Sequence, residues 1–184
     1  MLVVPEGEQL PVSGARAGNP DAWDRLFKRY QLPLYTYVFE LVRDREASLD
    51  IVQETFISAV RHIGGLREGA KFGSWLFGIA HQKCAQRWRK RADDTMPLDE
   101  RDDNHPDSGA GPEEILLRKE QEAALMNFLE QLSAPHRSVL LLHFLEDFSL
   151  EEIARITETQ VGTVKSRLHY AKRSLKKMME ENPL

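Results

Sequence analysis

The chain has 184 residues, 29% of them charged and 41% hydrophobic, with a formal net charge of -4, an ordinary balance for one large or two small soluble domains. Cys84 is the only cysteine, which excludes an intramolecular disulfide and a thiolate-rich zinc site. The start, MLVVPEGEQLP, lacks the basic n-region of a signal peptide, and no stretch approaches the roughly 20 apolar residues of a membrane helix, so a cytoplasmic chain without membrane insertion is expected.

Residues 1 to 18 are rich in Pro, Gly and Ser and read as a flexible tail. Asn19-Pro20-Asp21 then starts a helix: an N-cap, a proline at the first position and an acid in the first turn. Trp23, Leu26, Phe27 and Tyr30 follow at helical spacing. Pro33 is expected to kink or break this helix before Leu34, Tyr37, Val38 and Leu41 resume the pattern. Asp44 caps a further helix whose apolar stripe is Ala47, Ile51, Val52, Phe56, Ala59, Val60 and Ile63, and Gly64-Gly65 ends it. The loop Leu66 to Ala70 leads to a helix from about Lys71 to Arg91, with Phe72, Trp75, Leu76, Ile79 and Ala80 on its apolar side.

Residues 92 to 111 form an acidic linker with proline and glycine but no aromatic residue or periodicity. Pro112-Glu113-Glu114 opens another helix to about Leu132, and Ser133-Ala134-Pro135 starts the next, which carries Val139, Leu140, Leu142, Phe144 and Leu145. The last third is a helix pair. Ser149 and Glu152 form a capping box, and Leu150, Ile153, Ala154 and Ile156 make the apolar stripe of the first member. Thr157 to Gln160 is a polar turn with Thr159 as a candidate N-cap. Val161, Val164, Leu168, Ala171 and Leu175 then recur at spacings of three and four. No segment reads as a strand. The expected fold is all-α, with two small helical domains, 19-91 and 112-184, joined by the linker.

Charge is strongly segregated. From His81 to Arg91 there are five basic residues and no acid, whereas residues 92 to 114 hold nine acids and the single base Arg101. In the first domain Lys71, Lys83, Arg87 and Arg89 interleave with Phe72, Trp75, Phe77 and Trp88. This pattern suits single-stranded DNA, because bases neutralise phosphates and aromatic faces stack on unpaired nucleobases. Arg87, Arg89 and Arg91 are favoured as DNA contacts, while Phe72, Trp75 and Leu76 read as core. In the last helix Lys165, Ser166, Arg167, Tyr170, Lys172 and Arg173 lie opposite the apolar stripe. A docked helix pair with such a face on its second member is the helix-turn-helix design, whose second helix enters the major groove. Asp50, Gln53, Glu54 and Ser58 form a polar face that by itself reads as a solvated one. The six histidines are scattered and no two sit four apart on a helix, so no zinc pair is expected; His143, in an apolar run, reads as a satisfied core histidine. No catalytic constellation and no cofactor or metal site is expected.

Together these residues resemble a bacterial alternative sigma factor of the extracytoplasmic-function class over nearly all of the chain beyond the tail. The family's acid-x-x-Gln-x-x-Phe pattern is met by Asp50, Gln53 and Phe56, and its Phe-x-x-Trp-Leu-x-x-Ile-Ala run by Phe72, Trp75, Leu76, Ile79 and Ala80. Its Glu-Ile-Ala and Gly-Thr-Val-Lys-Ser-Arg-Leu motifs are met by Glu152 to Ala154 and Gly162 to Leu168. The resemblance implies that Asp50, Gln53, Glu54 and Phe56 dock on the clamp helices of core RNA polymerase. It implies that Arg67, Lys71, Lys83, Arg87, Trp88, Arg89 and Arg91 capture the melted minus-10 promoter DNA. It implies that Thr163, Lys165, Ser166, Arg167, Tyr170 and Arg173 read the minus-35 element, and that an anti-sigma factor holds the free chain.

Four positions depart from the family's pattern, one of them His81, which replaces a usual base. Gln82 and Gln86 stand where Asn and Asp are common, and Glu158 stands in the helix-turn-helix where Gly is frequent. A left-handed turn position costs a non-glycine residue roughly 1 kcal/mol, so a reshaped turn is expected. The competing reading is a stand-alone helix-turn-helix regulator with a helical sensory domain, against which the Trp-rich basic segment of the first domain argues.

Overall fold

A computed structural model describes residues 10–93, 128–129 and 131–181. The linker 92–111 and most of the helix expected from Pro112 to Leu132 lie outside them, apart from helical backbone at 92–93 and at 128, 129 and 131. All regular structure among the described residues is helical.

The segment expected to be a loose tail is ordered from Leu10 onward. A short helix α1 (Val12–Arg16) buries Val12 and Ala15. The Trp23 indole donates to the Ala15 carbonyl at 3.0 Å, and the Arg16 guanidinium donates to the Leu66 carbonyl. Composition hid this helix because one turn with two buried side chains leaves no periodic signal. Gly18, at φ 80, makes the left-handed corner into the next helix.

Helix α2 (Pro20–Val42) starts as its sequence dictates: the Asn19 side chain accepts from the Asp21 amide at 2.8 Å and the Ala22 amide at 3.4 Å. The break expected at Pro33 does not occur, and α2 runs through it. Leu34, Tyr37, Val38 and Leu41 beyond the proline are buried on the same core as Leu26 and Tyr30. Their burial, about 1.5–3 kcal/mol for each large side chain, outweighs the roughly 3 kcal/mol of an interior proline.

The Asp44 side chain caps α3 (Arg45–His62) by accepting from the Ala47 amide at 3.0 Å. Two 3-10 turns, Ile63–Gly65 and Gly69–Lys71, lead into α4 (Phe72–Asp93). Helices α2, α3 and α4 pack on one another around Leu26, Tyr37, Phe72, Leu76 and Ala80.

In the second domain α5 (Ala134–Leu145), α6 (Leu150–Ile156) and α7 (Val161–Glu181) surround Val139, Leu142, Ile153, Val164 and Ala171. The capping box at Ser149 is complete, with the Glu152 amide donating to the Ser149 hydroxyl at 3.2 Å and the Ser149 amide to the Glu152 carboxylate at 3.0 Å. The Thr159 hydroxyl pairs with that of Thr157 at 3.0 Å. The turn is not reshaped: Glu158 itself takes the left-handed conformation, at φ 51. His143 is not fully satisfied, since its buried Nδ1 has no hydrogen-bond partner.

The two domains are in contact. Helix α4 packs against α6, and α2 against α5. Phe77 and Phe148 meet edge to face with centroids 5.3 Å apart. The Arg137 guanidinium donates across to the Glu40 carbonyl at 2.6 Å. One continuous cluster of buried apolar side chains includes residues of both domains.

Candidate nucleic-acid interface

The outer face of α3 carries Asp50, Gln53 and Glu54, all exposed. Phe56 is the exception among the four residues expected to dock on polymerase: it is buried, with its ring 4.8 Å from that of Phe27. Helical geometry explains this, because Phe56 continues the stripe of Val52 and Ala59 rather than the polar face. The apolar residues that α3 leaves outside include Leu49, 51% exposed, Ile57, 43% exposed, and Val60, 53% exposed; the last was expected in the core.

Between α3 and α4 lies a cavity of about 320 Å³ lined by Ser58, His62, Trp75, Ile79, Gln82, Lys83 and Gln86. It combines one aromatic wall, two primary amides and one ammonium group. Trp75 and Ile79 are only partly buried and present their outer edges to it, although periodicity assigned both to the core.

Several bases expected to meet DNA are engaged within the first domain. Lys83 pairs with Glu54 at 2.8 Å, Arg87 with Asp44 at 2.9 Å and Lys71 with Glu68 at 2.7 Å. The first two pairs tie α4 to α3 and its cap. Trp88 is anchored too, its indole donating to the Leu41 carbonyl at 3.2 Å and its ring edge-on to His81. Arg67 and Arg89 are exposed. The side chain of Arg91 lies outside the described part of the structure. Phe77, interleaved with the bases in sequence, points the other way and is buried against Phe148. Sequence spacing gave no sign of the pairs made by Lys83 and Arg87, because Glu54 and Asp44 lie far from them along the chain.

His81 sits at the centre of this region. Its Nδ1 shares a 2.8 Å hydrogen bond with the Tyr37 hydroxyl. Burial pushes its pKa down to about 4, with Glu158 pulling it up and Arg167 pushing it further down. It is therefore a neutral core histidine rather than a cationic DNA contact. Cys84, one turn on, is buried, and burial pushes its thiol up to about 12.

In the second domain Lys165, Ser166, Tyr170 and Arg173 are exposed on α7, with Thr163 and Arg167 partly covered. The Ser166 hydroxyl donates to the Thr163 carbonyl at 2.9 Å. The Tyr170 ring lies 4.6 Å from that of His136. The six residues expected to read duplex DNA lie around the part of α7 outside its apolar stripe, with Lys165 and Arg167 on opposite flanks. The turn before that helix reaches the first domain: the Gln82 side-chain amide donates to the Glu158 carboxylate at 2.5 Å.

Comparison with known proteins places this geometry. Residues 26–93 match the family described as Sigma-70 region 2, and residues 122–175 match Sigma-70, region 4. The chain is 29% identical to the RNA polymerase sigma-H factor of Pseudomonas aeruginosa, over 97% of each protein. It is 30% identical to the ECF RNA polymerase sigma-E factor of Salmonella typhimurium, over 91% of this chain and 92% of that one. The fold is shared with the sigma factor RpoE of Bartonella quintana, solved with its anti-sigma factor NepR, at a TM-score of 0.71, 21% identity, and coverage of 86% of this chain and 97% of that one. Among the described residues no helix is long and apolar enough to cross a membrane. The chain belongs to the extracytoplasmic-function sigma factors of RNA polymerase.

Proposed function

We propose that this sigma factor divides its work by element: α3 docks on core polymerase, the α3–α4 cleft captures melted minus-10 DNA, and α7 reads the minus-35 duplex. The domain limits are 19-91 and 112-184, with 92-111 as the tether. On α3 the contacts are Asp50, Gln53 and Glu54, with Ile57 and Val60 as the apolar centre that the polar residues surround. Phe56 supports that face from beneath through Phe27. On α7 the contacts are Thr163, Lys165, Ser166, Arg167, Tyr170 and Arg173.

The observation that carries this reading is the cavity beside the basic end of α4. An unstacked nucleobase needs an aromatic plane to stack on and hydrogen-bonding groups for its edge. Trp75 supplies the plane, Gln82 and Gln86 the edge contacts, and Lys83 with Arg67 and Arg89 the charge for the backbone. Lys71, Arg87 and Trp88 act mainly by holding α4 in place. Glutamine bears both a donor and an acceptor, so either amide can pair with the edge of any base.

The chain works without a catalytic site or cofactor of its own, in the cytoplasm, and an anti-sigma factor holds it until it is needed. Polymerase supplies most of the affinity, and the tether raises the local concentration of each weak DNA-reading domain at its element. The test is transcription by core RNA polymerase from a promoter library, with start sites read by sequencing the transcripts. Initiation from a defined promoter class is expected. Output no greater than that of core alone overturns the reading.

A further inference from the structure

We propose that the polymerase-free chain is held closed, with the helix-turn-helix turn seated on the rim of the α3–α4 cleft and latched there by Glu158 on Gln82 and by the Phe77–Phe148 ring pair. This rests on the assignment of the cleft to minus-10 DNA.

Gln82 lines the cleft, and its amide donates to Glu158 at 2.5 Å. While it does so it cannot offer that donor to a nucleobase. Glu158 occupies a left-handed position, at φ 51, where glycine is the unstrained choice. The turn geometry does not call for a side-chain acceptor there, whereas the contact with Gln82 does. Beneath the latch Phe77 is 1% exposed and Phe148 9%, so the ring pair is sealed from water. Arg137 adds its hydrogen bond to the Glu40 carbonyl at 2.6 Å. The charge of Arg167, on the duplex-reading helix, bears on His81 of α4, which sets that side chain toward the first domain.

The closed form cannot serve a promoter. Elements centred near positions -35 and -10 are about 25 base pairs apart, or about 85 Å of duplex at about 3.4 Å per pair. A compactly folded chain of this length has a radius of gyration of only about 16 Å. The domains must therefore separate to reach both elements. The outer face of α3 stays uncovered in the closed form, with Asp50 and Gln53 exposed. Core polymerase can dock there first, and its preference for separated domains then shifts the equilibrium.

The test compares the full chain with E158G and E158Q. Glycine keeps the left-handed turn and removes the acceptor, so the second domain stays folded. Glutamine removes the charge and keeps an acceptor for Gln82. Small-angle scattering of the free proteins is expected to show a larger radius of gyration for E158G alone. Binding of a labelled oligothymidylate at fixed salt is expected to tighten roughly fivefold in E158G and to change little in E158Q. Equal tightening in both variants, with scattering unchanged from the parent, reduces the effect to charge and overturns the latch. An extended parent chain overturns it as well. Scattering needs no polymerase, so a failed latch leaves promoter-directed initiation standing, and failed initiation leaves the scattering result standing.

Discussion

Gln82 and Glu158 stand 76 positions apart and share a hydrogen bond of 2.5 Å. Each looked like an isolated local change, one affecting base preference and the other a turn. Folding brings them together, and the strain of a non-glycine left-handed residue, roughly 1 kcal/mol, is offset by a hydrogen bond to a charged acceptor.

The pair formed by Phe77 and Phe148 is expected to couple the two domains in unfolding. Phe148→Ala removes a buried ring at their junction and should cost about 3 kcal/mol. Scanning calorimetry of the parent should show one transition and that of the variant two, since each domain keeps its own core. A single unsplit transition at the parent temperature contradicts this.

His81 gives stability a defined pH dependence. Its folded-state pKa, about 4, lies below the ordinary 6.5, so between these values the unfolded chain binds more protons than the folded one. The stability it contributes is complete above about pH 6.5 and is lost as the pH falls toward 4. The full loss amounts to up to roughly 3 kcal/mol. His81→Gln keeps a partner for Tyr37 and removes the titration. The difference between parent and variant in urea unfolding should therefore grow from pH 4 to 6.5 and then level. Taking the difference removes the opposing influence of Glu146, whose carboxyl burial pushes up to about 7.

Two bases of α4 should respond differently to removal. Arg89 is exposed, whereas Lys83 is paired with Glu54 at 2.8 Å. Arg89→Ala is expected to flatten the salt dependence of single-stranded DNA binding by about one phosphate contact, and Lys83→Ala by less. Binding isotherms at several salt concentrations measure both slopes. Equal slopes would show that the ion pair with Glu54 opens on binding.

The capping box at α6 is expected to matter for the whole helix-turn-helix. Ser149→Ala removes the hydroxyl that accepts from the Glu152 amide, leaves the backbone amide at 149 on the Glu152 carboxylate, and should cost about 1 kcal/mol, while Ser149→Asp retains most of the stability. Thermal melts followed by circular dichroism of the full chain provide the measurement.

Much of this molecule was legible one helix at a time. Caps at Asn19, Asp44 and Ser149 mark helix starts through local hydrogen bonds, and apolar spacing marks the faces turned inward. Motif order in the two domains then pointed to the family. These signals survive in sequence because they act over three or four residues. The break expected at Pro33 and the loose tail before Gly18 failed for the opposite reason: burial of Leu34, Tyr37 and Val38, and of Val12 and Ala15, is collective and outweighs local preference.

The sequence by itself determined the helix starts at Asn19, Asp44 and Ser149, the division of charge and the apolar stripe of α7. Only the tertiary structure decided which bases are already paired, since Lys83 finds Glu54 and Arg87 finds Asp44 on another helix. It also decided that Phe77 turns inward and that Gln82 meets Glu158. The physical reason is range. Capping and periodicity are written within a single turn, whereas ion pairs, buried ring contacts and the junction of two domains depend on where distant segments come to rest.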